Sequence, residues 1–218
     1  VTQPFATVVS HLVEQFRMTS HLAYDSASFL KQGKRMNVMN LLKRFVGSLA
    51  HSGAKEPRCI VIMQRKAHRF SEDELRTAGE RGWHKTFDGK ADPMYFVSAD
   101  SPALTVVKAG PHIIRVTSVP AKYSEDDEYA LSQLLQPEQK KAWTEHHACA
   151  YLDLFNDFSK ESKRISDAEA YASLAKLALQ LGDANCAAVF VPVKNIMMAN
   201  DGTAEQGLRM LTNKELPI

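Results

Sequence analysis

The chain has 218 residues, of which 44% are hydrophobic and 24% charged, with a formal net charge of +2. This is ordinary globular composition, long enough for one large domain with an appendage, so no disulfide or metal staple is needed to hold a core. No run approaches the roughly 18 apolar residues of a membrane span, and no charged-apolar-small signal pattern opens the chain, so a soluble, cytoplasmic protein is expected.

Three cysteines, Cys59, Cys149 and Cys186, lie far apart, each in or beside an expected strand. That spacing suits buried thiols in a reducing compartment better than a disulfide framework. A start at Val1 leaves an upstream targeting segment open. Charge is uneven along the chain: residues 1–70 hold eleven Lys or Arg against three acids, the remainder sixteen against twenty-two. The favoured explanation is a basic N-terminal region beside an acidic domain, ahead of an anionic partner such as nucleic acid or lipid headgroups.

In chain order, residues 1–52 read as an N-terminal helical arm and residues 53–218 as an α+β domain. Phe5, Val8, Val9, Leu12, Val13 and Phe16 recur at helical spacing, as do Leu41, Leu42, Phe45, Val46 and Leu49, with Gly33 at a basic turn between them. Lys31, Lys34, Arg35, Lys43 and Arg44 beside Met36, Met39, Leu42 and Phe45 make the second a basic amphipathic helix. Docking within the chain, in a homo-oligomer or on a protein partner is favoured for it. A membrane surface ranks lower, and nucleic acid lower still because no aromatic-basic recognition motif accompanies the charge.

Downstream, one unit is written twice. An apolar strand over residues 59–63 leads to Ser71 with Glu74, and a second strand over residues 148–154 leads to Ser166 with Glu169. Each serine can cap backbone amides while the glutamate reaches back to the serine's own amide, and Phe70 and Leu75 are spaced for a hydrophobic staple. The first helix is expected to end at Gly82. Strands follow over residues 94–98, 104–108 and 113–119, the last two forming a hairpin around Gly110. Helices are expected from Ser124 through Leu135 and from Pro137 through Trp143, then the second unit, a strand over residues 187–191 and a short helix over residues 204–211.

Strands joined by single helices and by hairpins predict an α+β sandwich with a mixed, largely antiparallel sheet, helices on one face, and two ferredoxin-like halves sharing the sheet. No glycine-rich phosphate loop is present. Trp143 and His146 before a strand, a long helix and the run of residues 185–192 together resemble an uncharacterised bacterial family of unknown function with a Trp-x-x-His element. The resemblance covers about residues 57–195. It implies a fold and no reaction, cofactor or partner.

The densest chemistry lies in residues 145–153. Strand alternation would put His147, Cys149, Tyr151 and Asp153 on one face and His146 on the other. Imidazole, thiolate and carboxylate are zinc ligands, and a Cys149–His147 pair could serve a hydrolase. However, alternate residues of a strand stand almost 7 Å apart and no further ligand motif supplies convergence. No metal or cofactor is therefore expected. The acidic runs at residues 72–74 and 125–128 sit in helix first turns, where the dipole favours them, while Asp153 and Asp157 are better candidates for a perturbed carboxylate. Trp83 with His84, and Trp143 with His146, could line a ligand groove or seal the core.

The residues thus favour a non-catalytic interaction or self-association module. A hydrolase-like or metal-dependent enzyme centred on His146, His147, Cys149 and Asp153 is the alternative, and small-ligand binding near Trp83, His84 and Trp143 the second.

Overall fold

The computed structural model describes residues 58–101, 104–155 and 165–214, all within one compact unit spanning Lys55–Ile218. The expected N-terminal helices and their basic segment, and Asp157, lie outside the described residues. Among the described residues are seven strands and five helices: β1 (Cys59–Gln64), α1 (Glu72–Trp83), β2 (Tyr95–Ser101), β3 (Leu104–Ala109), β4 (His112–Val119), α2 (Asp127–Gln133), α3 (Pro137–Glu145), β5 (Ala148–Phe155), α4 (Asp167–Leu181), β6 (Cys186–Val191), β7 (Ile196–Ala199) and α5 (Thr203–Thr212). No helix among them is long and apolar enough to cross a membrane.

The strands form a single sheet in the order β2-β3-β4-β5-β1-β6-β7. Every neighbouring pair is antiparallel, so the sheet is not mixed. β1 and β4 flank β5 and therefore run the same way, and β5 and β6 likewise flank β1. The chain leaves β1 through α1 and returns, after the β2-β3 hairpin, beyond β5; it leaves β5 through α4 and returns beyond β1. Each crossover thus spans the other's first strand, which locks the repeated units together.

Both repeated helices open as expected. Ser71 accepts from the Glu74 amide while Glu74 accepts from the Ser71 amide at 2.7 Å, and Ser166 with Glu169 repeats the arrangement at 3.1 Å. Gly82 does not end α1. The left-handed position after the helix is filled by His84, at φ 53°, one residue beyond Trp83. α2 starts at Asp127 rather than Ser124, because Asp126 caps it by accepting from the Tyr129 amide at 2.9 Å. The strand β7 was not expected; it follows a left-handed turn at Asn195 and closes the sheet's edge.

Helices cover both faces, not one. Alternation along β1 sends Ile60 and Ile62 to a first face with Leu75, Phe87, Leu174, Leu177 and Leu208 of the α1, α4 and α5 side. Cys59, Val61 and Met63 point to a second face with Tyr123, Trp143 and Met197. There α3 lies against β6 and β7. Its Gln139 amide donates to the Met197 carbonyl at 2.8 Å, which occupies a backbone acceptor of the edge strand. Being covered on both sides, all six residues of β1 are buried, which is why that strand reads as a continuous apolar run. Arg65, just past β1, ties the layers together by donating to Glu145 of α3 at 3.0 Å, to the Ala184 carbonyl at 2.9 Å and to the Cys186 carbonyl.

Candidate functional site

The chemistry singled out in the sequence gathers on the second face, where α3 hands the chain to β5. Pro137 starts α3 at a position where its missing N–H costs nothing, and the helix stops when His146 turns extended at φ −80° and ψ 140°. That turn folds the imidazole back beneath its own helix. The residue is fully buried, with Nδ1 2.5 Å from the Trp143 carbonyl and Nε2 3.1 Å from the Tyr123 amide. A backbone amide can only donate, so Nε2 accepts; the ring proton is on Nδ1 and is given to the Trp143 carbonyl.

Around this histidine the polar groups close a ring. The Trp143 indole donates to one oxygen of Asp127 at 2.9 Å, and Lys122 Nζ reaches the other at 2.7 Å. The Tyr123 ring meets Trp143 edge-on at 6.4 Å and Phe190 at 5.1 Å, and stacks on Tyr151 at 6.3 Å. Burial lowers the His146 pKa below the ordinary histidine value. Lys122 and His147 add to that effect, partly opposed by the Trp143 carbonyl and Asp127.

On β5, alternation holds for Cys149, Tyr151 and Asp153, which stand opposite Met63, Val61 and Cys59 of β1. His147 does not join them. It precedes the strand, gives its amide to the Gln64 carbonyl at 2.8 Å and is exposed, whereas Cys149 has no exposure at all. Burial pushes the Cys149 thiol up to about 12 and Cys186 likewise to about 12. Cys59 is raised well above the ordinary thiol value, by burial first and then by the Asp153 carboxylate. Neutral, enclosed thiols are poor nucleophiles and poor metal ligands. Asp153 is engaged across the sheet, one oxygen receiving Arg115 Nη2 at 2.7 Å and Nε at 3.2 Å. Among the described residues no group of three or more His, Cys, Asp or Glu could hold a metal ion.

The two tryptophans do not share a groove, because they lie on opposite faces. Trp83 packs at the edge of the first-face core, 6.0 Å from Phe87, with Lys176 Nζ 6.0 Å over its ring. His84 is exposed as the cap residue of α1. A shallow hollow of about 290 Å³ lies elsewhere, along α5, lined by Gly202, Glu205, Gln206, Arg209, Met210 and Asn213. It brings together one helix's outward side chains, and its Glu205–Arg209 pair, at 2.7 Å, is satisfied within the helix.

Lys122, Tyr123 and Arg115 were not singled out in the sequence, and Asp127 was assigned only to a helix first turn. Arg115 alternates with buried Ile114 and Val116 on β4, a local signal that it faces the layer opposite the first core. The Trp143–Asp127 and His146–Tyr123 bonds span 16 and 23 residues, a separation at which no sequence pattern reports contact. No family model matches the chain, and no similar curated protein or solved structure was found.

Proposed function

We propose that this chain is a non-catalytic α+β interaction module that associates with itself through residues 1–52, with the sheet domain as its rigid support. The observation that carries this reading is the engagement of the candidate catalytic groups in holding the fold. His146 has both ring nitrogens bonded, Cys149 is sealed, Asp153 is paired with Arg115 and His147 stands apart on the surface. A nucleophile, its base and an acceptor for developing charge need to converge on one accessible point, and these four residues do not. The basic amphipathic pattern of residues 31–49 is then the feature of the chain still without a task.

Three buried thiols also fit a reducing, cytoplasmic setting. The interleaved crossovers support reading β4-β5-β1-β6 with α1 and α4 as one ferredoxin-like unit widened at both edges, in place of two halves side by side. On the same reading, the Trp-x-x-His element that suggests the bacterial family is a structural signature, since Trp143 and His146 both brace the α3 exit.

The test is light scattering coupled to size exclusion, on the full chain, on a variant lacking residues 1–52, and on a full-length variant with Lys31, Lys34, Arg35, Lys43 and Arg44 changed to Gln. Association present in the first and lost in both variants, with near-ultraviolet circular dichroism of the sheet domain preserved, is the expected result. A full chain that is monomeric at every concentration, or variants that associate undiminished, would overturn self-association. A partner protein retained by the full chain alone would redirect the same segment to that partner.

A further inference from the structure

His146 is more than a satisfied core histidine, because of what its Nε2 holds. Residues 120–126 carry no regular structure, and their Tyr123 amide is bonded to that nitrogen inside the buried layer. α2, which follows, buries none of its residues, and its Tyr129 is 49% exposed. The strap and α2 are therefore held to the second face by the Tyr123 ring and amide, the Trp143–Asp127 bond and the partly buried Ala130, Leu131 and Leu134, while the Lys122–Asp127 pair ties the strap to α2 itself.

A second proton on His146 would set an Nε2–H donor against the Tyr123 N–H donor at the 3.1 Å now spanned by a hydrogen bond. Two donors facing each other without an acceptor in a buried site is a strongly disfavoured arrangement. The neighbours do not relieve it. Lys122 on the strap and His147 next in the chain disfavour further positive charge, and Asp127, the one carboxylate acting on the ring, is already engaged by Lys122 and the Trp143 indole. Glu145, at the end of α3, is turned to Arg65 and Lys141. The thiol of Cys149 and the hydroxyl of Tyr123 in the same layer are neutral donors.

We propose that His146 is a proton-operated latch: on protonation the strap of residues 120–126 swings off the second face with α2, while the sheet and the first-face helices stay folded. The released Tyr123 uncovers the aromatic side chains it now covers, Tyr151, Phe190 and the edge of Trp143. Acidification would therefore present an aromatic surface that is closed at neutral pH.

The sign follows from linkage. In the open form His146 returns to the ordinary histidine value of about 6.5, and in the closed form it lies lower. The latch is at full strength above about pH 6.5 and weakens as pH falls toward the closed-form value.

Hydrogen exchange of the full chain, read by mass spectrometry across about pH 7.5 to 5 and corrected for intrinsic rates, tests this. The open population of residues 120–133 should rise as pH falls below about 6.5, by at most about tenfold per pH unit, with residues 59–64 and 148–155 unchanged. In His146→Gln the dependence should vanish, and in His147→Gln it should persist. The same slope in His146→Gln, or strap and sheet opening together, would overturn the latch. Should His146→Gln already stand open at neutral pH, the imidazole proton resonances of the unaltered chain decide. His146 titrating below the ordinary histidine value, in step with the Tyr123 amide shift, supports the latch; His146 titrating at the ordinary value, with the Tyr123 amide unmoved, overturns it.

Discussion

On its first face the sheet meets α1, α4 and α5 through apolar side chains, chiefly aliphatic, with Ile60, Leu152, Leu174 and Leu177 at no exposure. On its second face it meets the α2–α3 segment through a mixed layer, in which an imidazole, an indole, a phenol and a carboxylate fixed at stated distances sit among Val61, Met63, Ala142 and Met197. Aliphatic burial is non-directional and spread over many contacts, so its contribution is large, diffuse and nearly independent of pH. A layer that adds a few directional bonds to its apolar contacts responds sharply to the loss or titration of one of them. The two faces therefore divide stability from responsiveness, although they share the same strands.

The largest expected effect breaks the first face. Leu174→Ala, at a fully buried position of α4, should cost about 2–5 kcal/mol. Denaturant unfolding should show that loss with all probes moving together. Gly79→Ala is the overpacking counterpart. An added Cβ would lie 2.7 Å from the ring of Phe87, which is 1% exposed and held between Trp83 and Tyr95. The gain in helix propensity of about 1 kcal/mol is outweighed by a clash with a ring that cannot retreat, so a net cost of about 1–2 kcal/mol is expected. Unfolding midpoints of the two variants measure whether the first face is limited by voids, by crowding or by both.

How legible these faces were in the sequence follows the range of the interactions that build them. Ser71 with Glu74, and Ser166 with Glu169, are local, and both boxes formed as their spacing requires. The strand alternation of Cys149, Tyr151 and Asp153 is local too, and it held. His147 broke the alternation because the strand begins one residue later, which places its side chain outside the pleat. Helices on a second face were missed because α2 buries none of its residues fully, resting Ala130 and Leu131 on the layer, and α3 buries only Ala142 and Trp143. The attachment of this segment is written in long-range polar pairs, and only the fold brings those together.

A smaller effect sharpens the contrast on the second face. Trp143→Phe keeps an aromatic ring in the layer and removes the indole donor from Asp127, a bond of 2.9 Å. The carboxylate stays half-exposed and keeps Lys122, so the expected cost is about 1 kcal/mol. Unlike Leu174→Ala, it should appear as faster exchange of residues 120–133 with little change in β1 and β5. A uniform loss across the sheet would mean that the second face is as cooperative as the first.

The smallest expected effects compare the two capping boxes, which sit on the first-face side but are themselves polar. Ser71→Ala and Ser166→Ala should each cost about 1 kcal/mol, measured by urea unfolding at neutral pH. Their titration should be separable from that of the strap. The Ser166 amide and hydroxyl hold the Glu169 carboxyl below its usual value of 4.5. For Glu74, burial pushes upward and is outweighed by the Ser71 amide and hydroxyl, so it too lies below 4.5. A lowered carboxylate stabilises the fold fully above 4.5, and that contribution is lost as pH falls through the folded value. His146 loses its contribution in a higher window, beginning at about 6.5. An acid titration followed by exchange should therefore open residues 120–133 first and loosen the N-termini of α1 and α4 only later. In Ser166→Ala the later step at α4 should flatten while the earlier one remains. If both steps moved together, the faces would be one cooperative unit whose differences in chemistry have no consequence for its response to acid.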